Sequence, residues 1–197
     1  VKIMKKSMAG SAESYSAYGP SWANASNTPF REYKHFVHEG GIASPLIVHW
    51  PNSIKEKGDF RDEPSHLIDI MATCIEVSGA SYPEKFNGNQ IIPLEGLSLI
   101  PVFENKSLKR EALYWEHDGN RAVRMGKWKL VSKAVKNNWS AWDKLDILET
   151  DQWELFDMEK DRTELNNLSK EYPEQVKKMS LMWESWAKKT GALPRPN

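Results

Sequence analysis

Apolar positions along the chain recur in blocks of different period. From Ser65, Leu67, Ile70, Met71, Cys74 and Ile75 or Val77 recur at three and four, which predicts a helix ended by Gly79. A second helical stripe, Val176, Met179, Trp183 and Trp186, follows Pro173 at a first-turn position and stops at Gly191 and Pro194. Between them the period falls toward two. Ala112 to His117 and Arg121 to Ser132 read as strands of a hairpin, the second interrupted by a turn or bulge at Met125-Gly126-Lys127. Trp153 to Asp157 reads as a further strand. The short apolar run Ala43 to Trp50, bounded by Pro45 and Pro51, predicts a buried strand.

The rest is less regular. Residues 1–21 are rich in Ser, Ala, Gly and Tyr and read as loop. Thr28 to Val37 suits a short helix or an irregular turn. Residues 52–64 read as charged loop and 80–110 as mostly loop. The segment 136–150 is polar with two tryptophans and takes no assignment. The pattern predicts a small antiparallel sheet packed by a C-terminal helix.

Composition narrows the function classes. The 197 residues carry 27 basic and 27 acidic side chains, so no net field favours nucleic acid. No apolar run reaches the roughly 18 residues that span a bilayer. The single cysteine, Cys74, excludes an internal disulfide framework; its place in the apolar stripe predicts a buried packing thiol. Nine tryptophans could stack on sugar rings, as in a carbohydrate-binding module, but Trp128, Trp153, Trp183 and Trp186 fall at core positions of strands and helix.

Candidate chemistry gathers between Arg31 and Gly41. Lys34 brings a compact cation and Arg31 a planar fork, His35 and His38 titrate near neutral pH, and Gly40-Gly41 allows a substrate or another chain segment to come close. Such cations around a glycine turn suit a tetrahedral oxyanion, although a solvated basic turn has the same composition. His35 and His38, three apart, would share a helix face; zinc needs more ligands, and no other His or Cys lies near in sequence. His66, at the start of the first predicted helix, reads as structural.

The run Gly19-Pro20-Ser21-Trp22-Ala23-Asn24-Ala25-Ser26-Asn27-Thr28-Pro29-Phe30-Arg31, with Tyr33-Lys34, His38-Glu39-Gly40-Gly41-Ile42, Pro45 and Trp50-Pro51, resembles the sulfatase family, most closely the bacterial arylsulfatase type. The resemblance continues through Tyr114 to Arg124, Gly126 to Val131, Trp153 to Met158 and Asp161 to Leu168. It implies the end of an alkaline-phosphatase-like α/β core over 1–105 and a C-terminal subdomain of sheet and helix over 106–197. It implies sulfate-ester hydrolysis, with Lys34 as a clamp on the sulfate oxygens and His38 as a neighbouring polar group. His117 and Arg121, flanking the turn Asp118-Gly119-Asn120, are implied on the leaving-group side, against the simpler reading of an exposed hairpin tip.

The family's nucleophile is formylglycine within Cys/Ser-x-Pro/Ala-x-Arg, and no such pattern occurs here; Cys74 stands in Thr-Cys-Ile-Glu-Val. Its calcium ligands are acidic residues absent from the matching stretch, where aspartates begin only at Asp59. The chain is therefore read as the C-terminal portion of a sulfatase, an α+β piece expected to be inactive alone, to expose an apolar face and to hold no metal itself. Its expected partners are a preceding catalytic part and a sulfated small molecule or glycan. The family implies a periplasmic or secreted enzyme. A phosphate or phosphonate esterase of the same superfamily is the alternative within the class.

Overall fold

The computed structural model describes residues 19–133 and 152–193. Its elements are α1 (Gly19–Ser26), α2 (Glu39–Ile42), α3 (Ile68–Ser78), β1 (Lys85–Phe86), β2 (Asn89–Gln90), α4 (Ile100–Phe103), β3 (Leu113–His117), β4 (Asn120–Met125), β5 (Trp128–Ser132), β6 (Glu154–Asp157) and α5 (Pro173–Thr190). The unassigned segment 136–150 and residues 1–18 lie outside the described part. The chain divides into two compact units, one comprising Val1–Pro45 with Tyr114–Asn197, the other Leu46–Leu113. Within the first unit, Arg31, Val37 and Ile42 pack with residues of the distant sheet and the segment after it.

The first unit is built on a four-stranded sheet in the order β3-β4-β5-β6. Asp118 and Gly119, at φ 49° and 82°, make the tight turn between β3 and β4, and Gly126, at φ 55°, the turn between β4 and β5. The stretch expected as one interrupted strand is thus two. Arg121 pairs with Ser132, Val123 with Leu130, and Leu130 in turn with Leu155, so these residues share one face. Ala122, Lys129, Val131, Glu154 and Phe156 share the other.

Helix α5 covers the first face and is the predicted C-terminal helix. Met179, Trp183 and Ala187 are fully buried, and the Trp183 indole N–H donates to the Trp115 carbonyl at 2.9 Å. Tyr114 stacks on Trp186 with centroids 5.3 Å apart. Gly191, in the left-handed region at φ 76°, ends the helix, with Lys188 and Lys189 in its last turn, where cations meet the negative end of the dipole. Of the four tryptophans expected as core, Trp183 is buried, while Trp128, Trp153 and Trp186 are only partly buried.

The second face carries a mixed core. Val37, Ala122, Val131, Phe156 and Met158 cluster there, with Ile42 and Trp115 packed against them. Beside them sits Lys129, almost wholly buried, with Nζ 2.9 Å from Glu39 Oε1 and 2.7 Å from Glu164 Oε1. Glu164 also accepts the Glu39 N–H at 2.8 Å, and Arg162 reaches Glu39 at 3.2 Å. Burial pushes the Glu39 carboxyl up, but Lys129 and Arg162 together hold it below its ordinary value.

The second unit inverts an expectation. Helix α3 forms and is ended by Gly79 at φ 66°, but Leu67 is 77% exposed and Met71 and Val77 are also exposed. Cys74 is exposed, not a packed thiol. The buried positions are Asp69 and Ala72. Asp69 accepts the N–H groups of His66 at 2.7 Å and Leu97 at 2.9 Å and meets the Arg110 guanidinium at 2.5 Å. Thr73 Oγ1 accepts the Leu99 N–H at 2.9 Å. The polar face of α3 therefore binds the 96–99 segment through hydrogen bonds, and Gly96 is required because a Cβ there would meet the Ile68 carbonyl. His66 donates its backbone N–H to the Asp69 carboxylate, its Nδ1 accepts the Ile68 N–H at 3.4 Å, and burial lowers its pKa.

Two further readings change. The expected buried strand over Ala43 to Trp50 has no regular structure, and Ile47 is 92% exposed. Among the described residues no strand pairs with it, and a strand persists only with a ladder partner. Within 80–110, Asn87-Gly88 closes a two-residue hairpin between β1 and β2, with both residues at positive φ. Among the described residues, no helix is long and apolar enough to cross a membrane.

Candidate functional site

The segment after α1 is an irregular turn, one of the two conformations expected for it. Asn24 Oδ1 accepts the Glu32 N–H at 2.9 Å, and the Asn27 amide donates to the Ala23 carbonyl at 2.8 Å, so the two asparagines of the signature fold the loop back on α1. Arg31 Nη1 donates to the Glu164 carbonyl, and its guanidinium lies 5.8 Å over the Phe156 ring. It is spent on anchoring the loop to the sheet unit.

Gly40 and Gly41 complete the anchor. Neither has a positive φ; what they supply is close approach. A Cβ on Gly40 would run into the Arg31 and Glu32 carbonyls, and one on Gly41 into those of Phe36 and Tyr33. The Gly40 N–H donates to the Arg31 carbonyl at 2.9 Å. The chain segment the glycines admit is the loop's own. Lys34 sits on that clamped loop, exposed, and among the described residues it makes no hydrogen bond or ion pair.

The other expected residues separate. His35 and His38 do not share a face, because the loop is not helical and His35 takes φ 86°. His38 is completely buried, with Nε2 3.0 Å from Glu154 Oε2. That hydrogen bond is the main cause holding the Glu154 carboxyl below its ordinary value; burial opposes it and Arg31 assists. In this chain His38 locks the loop to β6 and presents nothing to solvent. Arg121 faces the α5 side of the sheet: it donates to Ser132 Oγ at 3.2 Å and lies 4.5 Å over the Trp153 ring and 5.3 Å over Trp183. His117 lies on the opposite side, more than half exposed.

His117 does meet the loop. His35 Nδ1 and His117 Nε2 are 3.3 Å apart, and both nitrogens lie near Asp118 Oδ2, at 3.5 and 3.4 Å. The structure thus brings the chain neighbour of Lys34 against the β3–β4 turn, 82 residues away. No local signal in the sequence pairs His35 with Asp118, since the contact exists only once the loop lies on the sheet. The candidate site is therefore an exposed lysine on a hydrogen-bonded loop whose next residue, His35, meets His117 and Asp118.

The comparisons bear on the family and the fold. Residues 31–189 match the family model described as N-sulphoglucosamine sulphohydrolase, C-terminal. The chain is 30% identical over 195 residues to an uncharacterized sulfatase of Schizosaccharomyces pombe, covering 95% of this chain and 32% of that protein. It is 26% identical over 157 residues to an N-acetylgalactosamine-6-O-sulfatase of Bacteroides thetaiotaomicron, covering 79% of this chain and 29% of that protein. The crystal structure of Ps i-CgsB superposes with a TM-score of 0.51 at 26% identity, over 71% of this chain and 27% of that one; the same protein has also been solved in complex with k-i-k-neocarrahexaose. The chain spans about a third of the length of these curated relatives. The fold class is the one expected, the end of an alkaline-phosphatase-like core with a small antiparallel sheet packed by a C-terminal helix. With the signature from Arg31 onward, the four-stranded sheet and all but the last residue of α5 inside the matched region, the chain belongs to the sulfatase family and corresponds to its C-terminal part.

Proposed function

We propose that this chain works as the C-terminal part of a sulfuric ester hydrolase acting on sulfated sugars, and that Lys34 grips the sulfate. The observation that carries the reading is the lysine itself: an exposed cation on a loop immobilised by Arg31, His38 and two glycines, inside the family match. A cation fixed before the substrate arrives needs no reorganisation when negative charge builds on the transferring group. The sugar preference is supported by the relative named N-acetylgalactosamine-6-O-sulfatase and by the k-i-k-neocarrahexaose complex of Ps i-CgsB. His117, exposed and one turn from this loop, is proposed to face the leaving group.

The nucleophile, formylglycine, and a calcium ion are proposed to come from a preceding portion of the enzyme. The described residues do not fit calcium: the metal-type cluster among them offers two imidazoles and one carboxylate, where calcium takes six to eight oxygens.

The test is Lys34→Ala in the full-length enzyme, assayed on an aryl sulfate and on the matching aryl phosphate. A fall of about 10²–10³ in kcat is expected for sulfate, the scale of losing one oxyanion contact. Unchanged turnover rejects the clamp, and a preference for phosphate moves the enzyme to the phosphoryl branch of the superfamily.

A further inference from the structure

We propose that His35, His117 and Asp118 form a binding site for a divalent transition-metal ion of borderline softness, zinc being the representative. The three ligand atoms make a nearly equilateral triangle with sides of 3.3, 3.4 and 3.5 Å. A tetrahedral ion with bonds of about 2.0–2.1 Å sets its ligand atoms about 3.3–3.4 Å apart. The triangle is therefore one face of a zinc tetrahedron; an octahedral magnesium ion with bonds of similar length would need shorter edges, about 3.0 Å. Two imidazoles and a carboxylate also select zinc, cobalt, nickel or copper over calcium and magnesium.

The framework behind the triangle is built. Asn120, 6% exposed, donates its side-chain amide to the carbonyls of both His35 and His117, each at 3.0 Å, and so ties the two histidine-bearing segments together. The Gly119 N–H donates to Glu116 Oε1 at 2.8 Å, which fixes the turn that presents Asp118. His35 itself sits at φ 86°, a conformation that a non-glycine residue holds only where its surroundings impose it. Bound metal ligands are oriented by such outer contacts. The ligands are part-exposed, so the ion has an entry path; a tetrahedral ion held by three protein ligands takes a water or an anionic oxygen as its fourth. The proposal does not depend on the sulfatase reading, and its readout is metal binding rather than turnover.

The experiment titrates the full chain with zinc chloride by calorimetry, and with cobalt chloride by visible absorption. One-to-one binding with the intense absorption of tetrahedral cobalt is expected. His117→Ala and Asp118→Asn each weaken it at least tenfold; Asn120→Ala, acting through the ligand orientation, weakens it roughly tenfold or more. His49→Ala, at an exposed histidine outside the triangle, leaves it unchanged. Circular dichroism checks folding; should His117→Ala not fold, His35→Gln replaces it. Absence of one-to-one binding, or binding that survives both ligand substitutions, overturns the site.

Discussion

Helices α3 and α5 have the same kind of apolar stripe and opposite fates. In α5, the stripe Met179, Trp183 and Ala187 is buried against β4 and β5. In α3, the stripe faces outward, and the helix is held by Asp69 and Thr73 on its polar side. A hydrophobic period reports which residues prefer to leave water; the surface that receives them is a separate fact. The α5 stripe meets a sheet face whose own residues, Val123, Leu130 and Leu155, alternate to match it. No such apolar face meets the α3 stripe among the described residues.

That contrast can be broken by mutation, and the largest effect belongs to α5. Trp183→Ala removes a fully buried indole and its hydrogen bond to Trp115, and should lower stability by about 3–5 kcal/mol in urea unfolding. Next comes the polar side of α3. Asp69→Ala leaves Arg110 and two backbone N–H groups without their acceptor, a loss of roughly 3 kcal/mol, whereas Met71→Ser on the exposed stripe should stay within about 0.5 kcal/mol. Equal effects from Asp69 and Met71 would show that the stripe, not the carboxylate, holds the helix.

The smallest effect is in acid, and it belongs to the sheet unit. Glu39 and Glu154 are both held below the ordinary value of 4.5, so the unfolded chain takes up protons first. Their stabilisation is complete above that value and drains away as pH falls through the lower folded-state values. The acid side of a stability–pH profile should flatten in Glu39→Gln. An unchanged slope would mean that Glu39 is not ionised in the folded protein.

The sheet and α5 were legible because period, turn residues and caps agree locally. Gly126 and Gly191 stand where turn and cap demand them. The β1–β2 hairpin was missed although Asn87-Gly88 announces it, because its flanks lack apolar alternation. The fate of Ala43 to Trp50 was not legible, since an apolar run does not name its ladder partner. Within the candidate site, Lys34 is singled out by the family signature alone, and the structure adds its exposure. The burial of His38 was hidden because Glu154, which holds it, is 116 residues away. The resemblance implies both His117 and Arg121 on the leaving-group side; strand alternation sends the two to opposite faces, Arg121 against Trp153 and Trp183 and His117 against His35.

The Lys129–Glu39–Glu164 set has a consequence for ionic strength. Its charges are sealed from solvent, so mobile ions cannot gather around them, whereas Lys34 is bathed in them. Adding salt would weaken the pull of Lys34 on an anion while leaving the loop that carries it as firmly seated as before. The grip is tuned by the medium, and the hand that holds it is not.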